Sequence, residues 1–304
     1  LWPGKPLYFA KTSGTTSGAK YIPITKESIK THIKSATHAL LNYFLKSKNY
    51  KSINGKHMFL QGSPELTKKN GIFIGRLSGI SAHYIPKLFI KNRMPTWETN
   101  CIEDWEEKVE KIIDETVGKK MTIIAGIPSW VQMYFEKIIT KQQTSISKVF
   151  PELSLYVYGG VSYEPYKKMF ERLFGKKIDT LATFPASEGF FGYQDEFTEK
   201  EPDLLLLLNN DIFYEFIKTE DFLKGEYERL SLEHVELNVN YLLIISTSAG
   251  LWAYNIGDTV KFTSLKPYRL IVTGRVKHYL SAFGEHVIAE EVEKALSRAL
   301  NNTD

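Results

Sequence analysis

The sequence predicts an α/β protein with helix-covered sheets and a β-rich, barrel-like appendage. Strand-like and helix-like segments alternate over most of the chain, which is typical of a sheet covered by helices. Strands outnumber helices after residue 204, which indicates an antiparallel or barrel-like part. The 304 residues are 43% hydrophobic and 24% charged, which excludes disordered, collagen-like and coiled-coil chains and fits roughly two domains.

Two short strands and a long helix are predicted first. Residues 8–10 and 20–24 are strand-like, and Thr25 is a suitable N-cap for the helix that follows. The apolar stripe predicted for this helix contains Ile29, Ile33, Ala36, Leu40 and Phe44. His32 and His38 are six positions apart and share no helical face well, so we expect no chemical role for them.

The rest of the chain divides into a βαβ region and a strand-rich region. The predicted βαβ strands are 57–61, 121–125, 153–158 and 178–183, and the helices are 104–117, 128–139 and 163–174. The later predicted strands are 204–208, 212–217, 241–247, 251–254, 259–262 and 268–273. A hairpin over 274–284 and a final helix over 287–300 complete the prediction.

Charge and cysteine content exclude several classes of protein. The net charge is +4, and the 32 lysines and seven arginines are scattered, which argues against a nucleic-acid-binding protein. The single cysteine, Cys101, excludes an internal disulfide framework and favours a reducing, cytoplasmic setting. The longest apolar runs, such as 204–208, are far shorter than the roughly 18 to 20 residues that a membrane span needs. We therefore expect neither nucleic acid nor membrane as a partner.

Residues 12–20 form a candidate phosphate-binding segment. They include five hydroxyl side chains, two glycines and Lys20. Backbone N–H groups, hydroxyls and an ammonium are the donors that a polyphosphate needs. The spacing departs from the Walker pattern, because three residues separate Gly14 from Gly18 and Tyr21 follows the lysine. A solvated turn explains the segment equally well.

Two further segments carry candidate ligand-binding residues. In the segment 183–189, an aromatic ring at Phe184 could stack on a base and the carboxylate of Glu188 could hold Mg²⁺. In the segment 254–258, Asp258 could accept both hydroxyl groups of a ribose. A strand-end loop and an ordinary turn are the alternative explanations.

Taken together and in this order, the motifs resemble the adenylate-forming superfamily of acyl-CoA synthetases and luciferases. Within it they most resemble the auxin-responsive (Gretchen Hagen type) acyl-acid amido synthetases. Residues 12–25 are similar to that family's phosphate loop, 158–162 to its adenine-contacting turn and 184–188 to its aromatic-x-x-Ser-Glu motif. Residues 207–216 and 249–254 resemble the amido synthetase branch more than the CoA ligases, and the likeness spans nearly all of the chain.

The resemblance implies a role for each matching residue. The residues implied to bind the β- and γ-phosphates are Ser13, Thr15, Thr16, Ser17 and Lys20. Those implied to line the adenine are Gly160, Val161 and Ser162, with Phe184 stacking on it. Ser187 is placed near the α-phosphate, Glu188 at Mg²⁺, and Asp258 and Arg275 at the ribose hydroxyl groups. Lys20, Glu188 and Arg275 are the residues implied to be catalytic.

The resemblance also implies the domain organisation. Residues 1–276 correspond to the large adenylation domain, incomplete at its N-terminus, and 277–304 to the truncated beginning of the mobile C-terminal lid, with Lys277 at the hinge. The chain departs from the family at Asn255, where an Arg is common, and the lid lysine that contacts the reacting carboxylate is absent. We expect the chain to be the central part of a longer enzyme.

The activity implied is that of a two-step ligase that uses ATP and Mg²⁺ as cofactors and has a small carboxylic acid and an amino acid as substrates. Trp130, Val131 and Tyr134 are candidates for the walls of the acyl pocket, with plain core packing as the alternative for Trp130. Other readings are an acyl-CoA ligase and a non-catalytic, nucleotide-binding remnant of the fold. Asn255 and the missing lid favour the remnant slightly, whereas the intact charged residues of the implied site count against it.

Overall fold

The computed structural model describes residues 5–12, 20–160, 163–198, 202–225 and 227–276, and the backbone of 280–282 and 285–287. The chain divides into two compact units, Leu1–Phe190 and Phe191–Asp304. This division differs from the boundary predicted at residue 276. The predicted boundary coincides with the end of the described range 227–276. The hinge residue Lys277 and residues 288–300 of the helix predicted over 287–300 lie outside the described residues. All three stay predictions.

The first unit alternates strands with helices. Its strands are β1 (Tyr8–Thr12), β2 (Lys20–Ile24), β3 (Lys56–Phe59), β4 (Thr67–Lys69), β5 (Ile72–Gly75), β6 (Arg93–Met94), β7 (Met121–Ala125), β8 (Leu155–Gly159) and β9 (Asp179–Ala186). Its helices are α1 (Lys26–Ser47), α2 (Leu77–Ala82), α3 (Lys87–Ile90), α4 (Trp97–Cys101), α5 (Trp105–Thr116), α6 (Pro128–Gln142), α7 (Ile146–Val149) and α8 (Lys167–Phe174). Short 3₁₀ turns cover Tyr50–Asn54 and Glu164–Tyr166.

These strands form two groups. The order β6-β3-β7-β8-β9 is parallel throughout, which confirms the predicted βαβ arrangement. A smaller sheet has the order β2-β1-β5-β4, in which β1 is antiparallel to β2 and parallel to β5. The sequence did not predict β4, β5, β6 or the short helices between residues 62 and 103.

Helix α1 begins where the sequence predicted but buries a different face. Its N-cap Thr25 forms a capping box with Ser28, with an Oγ1 acceptor at 3.1 Å from the Ser28 N–H. The buried residues of the helix are Ile29, Ser35, Ala39, Tyr43 and Phe44. The middle of the predicted stripe is therefore wrong. The hydroxyl of Tyr43, one of these buried residues, donates to Oδ2 of Asp179 in β9 at 2.7 Å.

Aromatic rings fill the core between the parallel strands and the helices α6 and α8. The Phe135 ring lies 5.6 Å from that of Phe174, and the Tyr156 ring stacks on Phe170 at 5.1 Å. Tyr156, Phe135 and Phe170 have no exposed surface. Burial of each such side chain contributes about 2 kcal/mol, so this cluster anchors β8 to helices α6 and α8.

The second unit is a set of antiparallel strands. Its elements are β10 (Gly189–Tyr193, which begins at the end of the first unit), β11 (Leu204–Leu206), β12 (Ile212–Lys218), α9 (Thr219–Lys224), β13 (Leu230–Ser231), β14 (Asn240–Thr247), β15 (Tyr254–Leu265), β16 (Tyr268–Arg275), β17 (Leu280–Ala282) and β18 (Glu285–Val287). The order is β10-β11-β16-β15-β14-β12-β13, with every pair antiparallel. The predicted antiparallel part is confirmed.

Two strand predictions need correction. The strand predicted over 251–254 is wrong for residues 251–253, which precede β15, and the strand predicted over 259–262 is the interior of β15. Pairing with β14 at Tyr254 and Asn255 lets β15 begin before the turn-like sequence. Strand β9 extends three residues beyond the predicted end at Thr183, through Pro185, to Ala186. In the described part of the chain, no helix is long and apolar enough to cross a membrane.

Candidate functional site

The carboxyl ends of β8 and β9 bring two of the predicted motifs together. The two strands are parallel, and Gly159 at the end of β8 is the Cα partner of Thr183 in β9. The predicted adenine-contacting turn, which continues from Gly159, therefore lies beside the strand that carries Phe184. Carboxyl ends of parallel strands are where open α/β sheets bind ligands.

Glycine is required at the end of β8 because the backbone of β9 approaches it closely. A Cβ atom at Gly159 would lie 2.5 Å from the carbonyl oxygen of Thr183. The next residue, Gly160, has φ +82°, a left-handed conformation that favours glycine. The hydroxyl of Thr183 donates to the Tyr158 carbonyl at 2.8 Å and fixes the turn from the other side. This Thr183 contact was not predictable from the sequence, because it depends on the β8–β9 register.

The aromatic residues of this turn are packed together. The rings of Tyr158 and Tyr163 stack with centroids 4.6 Å apart. Burial, with the nearby Tyr163, raises the pKa of Tyr158, so its phenol stays protonated at neutral pH. Phe184 is only 5% exposed, and its ring therefore presents little surface to a base. The predicted stacking of Phe184 on adenine stays a prediction.

Ser187 and Glu188 form the two-residue turn between β9 and β10, which are neighbours in the sheet. Both residues are half-buried. The turn places Glu188 immediately after the end of β9, the strand that carries Phe184. The predicted strand-end loop is thus a tight hairpin.

Lys20 is the exposed first residue of β2 and the Cα partner of Thr12, the last residue of β1. This pairing fixes the two ends of the candidate phosphate segment beside each other. Ser13, Thr15, Thr16 and Ser17 within that segment lie outside the described residues. So do Val161 and Ser162 of the predicted adenine turn.

In the second unit, the structure brings Asp258 and Arg275 together. They are Cα partners on β15 and β16, and Nε of Arg275 donates to Oδ1 of Asp258 at 2.6 Å. Asp258 is 7% exposed, whereas the Arg275 side chain is 58% exposed. The carboxylate is therefore oriented by a guanidinium that itself remains in contact with solvent.

Asn255 has a local structural role near this pair. Its side-chain Oδ1 accepts from the N–H of Gly257 at 2.8 Å, and Gly257 has φ +86°. This Asx-type turn shapes the chain immediately before Asp258. Asn255, at which the chain departs from the family pattern, thus supports the backbone immediately before Asp258.

The three residues predicted as walls of an acyl pocket have different surroundings. Val131 and Tyr134 are fully buried, and the Tyr134 hydroxyl is 2.6 Å from that of Thr116. Trp130 packs on Trp105 of α5 with ring centroids 4.4 Å apart. Core packing between α5 and α6 accounts for these contacts. The role of the three residues as pocket walls stays a prediction.

The described residues contain no group of three or more His, Cys, Asp or Glu side chains that could hold a metal ion by themselves. Magnesium bound with a nucleotide requires fewer protein ligands, because one or two carboxylates share it with the phosphates. A half-buried carboxylate on a tight turn, such as Glu188, fits this requirement.

Two family models match the chain. The GH3 family N-terminal domain matches residues 1–96, and the GH3 family central domain matches residues 205–275. Together they cover more than half of the chain, and they include the candidate phosphate segment and the Asp258–Arg275 pair.

Relatives of known name agree with these matches. A jasmonoyl–L-amino acid synthetase, JAR4, of Nicotiana attenuata is 22% identical over 85% of this chain and 55% of its own length. A second, GH3.5, of Oryza sativa subsp. japonica is 23% identical over 85% of this chain and 56% of its own length. The chain thus spans a little over half the length of these relatives.

Solved structures show the same fold. A GH3.15 acyl acid amido synthetase has a TM-score of 0.74 at 14% identity, with 97% of this chain and 60% of that chain covered. A 2-hydroxyisobutyryl-CoA ligase in its postadenylation state has a TM-score of 0.67 at 11% identity, with 97% and 57% covered. At these identities, the likeness establishes the architecture of the chain.

Proposed function

This chain belongs to the GH3 family within the adenylate-forming superfamily, and from that premise we propose that it is an ATP- and Mg²⁺-dependent acyl-acid amido synthetase. The family predicted from the motifs is confirmed. Because the chain spans little more than half of its named relatives, the activity and substrates are proposals for the protein to which it belongs.

The Asp258–Arg275 pair is the observation that carries the proposal. An ionised carboxylate accepts hydrogen bonds and donates none, so it suits the two hydroxyl donors of a ribose. Its burial and the 2.6 Å bond from Arg275 keep that carboxylate in one orientation. Preorganisation of this kind reduces the cost of positioning a nucleotide.

In the proposed first step, a carboxylate oxygen of the acyl acid attacks the α-phosphorus of ATP. The bond from that phosphorus to the bridging oxygen breaks, and pyrophosphate leaves with the electron pair. The acid has a pKa of roughly 4 to 5 and is already ionised at neutral pH, so no general base is needed. The ammonium of Lys20 and the hydroxyl groups of residues 13–17 would offset the charge on the phosphates.

The residues proposed to hold the metal and the nucleotide lie at the strand ends. Glu188 would hold Mg²⁺, which supplies charge neutralisation on the phosphates when bound. The turn after Gly159 would receive the adenine, and Ser187 would lie near the α-phosphate. In the second step, an amine nitrogen attacks the acyl carbonyl, AMP leaves, and the nitrogen loses a proton to give an amide.

Isotope exchange of pyrophosphate into ATP tests the first step. The full chain is assayed with Mg²⁺ and a panel of aryl and aliphatic carboxylic acids. We expect exchange with one class of acid, and a loss of about 100-fold in Glu188→Ala with the fold retained. Glu228→Ala is the matched control, because Glu228 is an exposed carboxylate outside the proposed site.

The outcomes separate the proposed activity from its alternatives. Unchanged exchange in Glu188→Ala would falsify the role of that residue. If no acid supports pyrophosphate exchange while ATP still binds, the chain behaves as a nucleotide-binding remnant. If an adenylate forms and coenzyme A consumes it while amines do not, the activity is that of an acyl-CoA ligase.

A further inference from the structure

We infer that the first unit binds an organic ammonium ion in a cavity separate from the proposed adenylation residues. The cavity measures about 650 Å³. Its walls include four aromatic rings and two carboxylates, contributed by Tyr8, Phe73, His83, Trp97, Glu65 and Glu103. None of these residues belongs to the motifs that the sequence analysis assigned to ATP or the acyl acid.

The rings present faces that attract positive charge. Trp97 is 39% exposed and Phe73 is 40% exposed, although both are large apolar side chains. The face of an aromatic ring attracts a cation within about 6 Å of its centre. The protein's own cations already show this at both rings: the guanidinium of Arg93 lies 5.5 Å from the Trp97 centroid, and Nζ of Lys68 lies 5.3 Å from that of Phe73.

The polar groups of the walls are mainly acceptors. Nε2 of His83 lies 3.0 Å from the carbonyl oxygen of Pro64, which can only accept, so Nε2 carries the proton. In the neutral ring, Nδ1 is then an acceptor. The hydroxyl of Thr67 donates to a backbone carbonyl at 3.4 Å, and the hydroxyls of Tyr8 and Tyr84 bond each other at 2.9 Å. A ligand that donates hydrogen bonds suits these walls.

The charge of the walls points to the same class of ligand. Glu65 and Glu103 are exposed, and within the described ranges neither forms an ion pair. Lys68 and Arg93 each lie over one ring of this lining. Glu65 and Glu103 are the charged groups that the lining itself contributes. An ammonium group has three N–H donors and one positive charge, so it complements the two carboxylates.

The Trp97 wall is held in place before any ligand binds. At the start of α4, Glu115 accepts from the N–H of Thr96 at 2.8 Å and from its hydroxyl at 2.6 Å. At the end of α4, the buried ammonium of Lys108 donates to the Asn100 carbonyl at 2.6 Å. A wall that is already ordered loses little conformational entropy when a ligand binds.

Titration calorimetry with pentylammonium chloride tests the inference, with 1-pentanol as the uncharged ligand of similar size. The full chain is used without ATP, so the result does not depend on the proposed ligase activity. We expect pentylammonium to bind and 1-pentanol to bind at least about tenfold more weakly. Glu65→Gln and Glu103→Gln should each weaken pentylammonium binding about fivefold.

A nearby carboxylate provides the control for these variants. Glu98 lies next to Trp97 in α4, is exposed, and does not line the cavity, so Glu98→Gln should bind pentylammonium as the parent does. Trp97→Leu should also weaken binding, and circular dichroism checks its fold. Equal binding of the alcohol and the ammonium overturns the inference, as does a loss in Glu98→Gln that equals the loss in Glu65→Gln.

Discussion

Arg275 holds the carboxylate of Asp258 across the β15–β16 pair, with Nε 2.6 Å from Oδ1, although the two residues are 17 positions apart in sequence. The buried partner is the anion, and the exposed partner is the cation. A ligand that approaches from solvent therefore meets the guanidinium first and a carboxylate whose direction is already set. This asymmetry makes Asp258 the more informative of the two residues to change.

Asp258→Asn should lower kcat/KM for ATP in pyrophosphate exchange by about 10- to 100-fold. The amide keeps the shape of the side chain, but it removes the charge-assisted bonds to Arg275 and to the ribose. Asp203→Asn is the control, because Asp203 is another aspartate of the second unit and accepts from the Thr263 hydroxyl at 2.7 Å in an exposed pair. A similar loss in both variants would count against a ribose-binding role.

Tyr134→Phe should lower the free energy of unfolding by about 1 kcal/mol and leave the KM of an accepted acid unchanged. The change removes the bond to the Thr116 hydroxyl and keeps the buried ring. Urea unfolding and exchange kinetics on the same preparation provide both values. A changed KM with unchanged stability would instead support the predicted acyl-pocket role of this residue.

His32→Leu should make the protein less sensitive to acid. Burial lowers the pKa of His32 from 6.5 to about 4. Between these pH values the unfolded chain binds a proton at this ring and the folded chain does not, so the folded state loses stability as the pH falls. Urea unfolding at pH 7 and pH 4.5 should show this loss reduced by about 2 kcal/mol in the variant.

The matched control for this effect is His38→Leu. His38 lies on the same helix and is exposed, whereas His32 packs edge-on against Phe190 with centroids 5.3 Å apart. We expect the acid sensitivity of His38→Leu to equal that of the parent. The prediction fails if both variants behave alike.

Lys108→Met should change how stability depends on alkaline pH. Burial lowers the pKa of Lys108 from 10.5 to about 8, and the residue is 2% exposed. The unfolded chain keeps this proton between pH 8 and 10.5 while the folded chain releases it, so this group adds stability as the pH rises through that range. The variant should lack a gain of about 2 kcal/mol between pH 8 and 10.

Chemical denaturation of the parent and the variant at both pH values measures this difference. Lys111→Met is the control, because Lys111 lies on the same helix and is exposed. An identical pH dependence in the parent and Lys108→Met would contradict the prediction.

Strands and helices with strong local signals were predictable from the sequence. The N-cap Thr25, the proline at the start of α6 and the glycines after β8 set boundaries that the structure reproduces within a few residues. The β4–β5 hairpin was not predicted because β4 is fully exposed and lacks an apolar pattern; the sequence signal that marks this hairpin is the Asn70-Gly71 turn, in which both residues have positive φ.

The site was predictable only in part, for a related reason. The motifs identified Asp258 and Arg275 individually, but their contact depends on strand register, which a bulge near Thr259 shifts. The aromatic cavity left no signal at all, because its walls come from β1, β4, β5, α4 and the segments after β3, α2 and α4, which are separated in the sequence.

Lys20 and Asp258, which are both proposed to contact the nucleotide, lie on strands whose backbone hydrogen bonds should open to different extents. Lys20 lies on β2, which among the described strands pairs with β1 alone, whereas Asp258 lies on β15, which is bonded to β14 on one side and β16 on the other. Amide groups of an edge strand exchange with solvent through small fluctuations, and those of an interior strand need a larger unit to open. Bound nucleotide should therefore slow hydrogen exchange most in β2, whereas β15 exchanges slowly even in its absence.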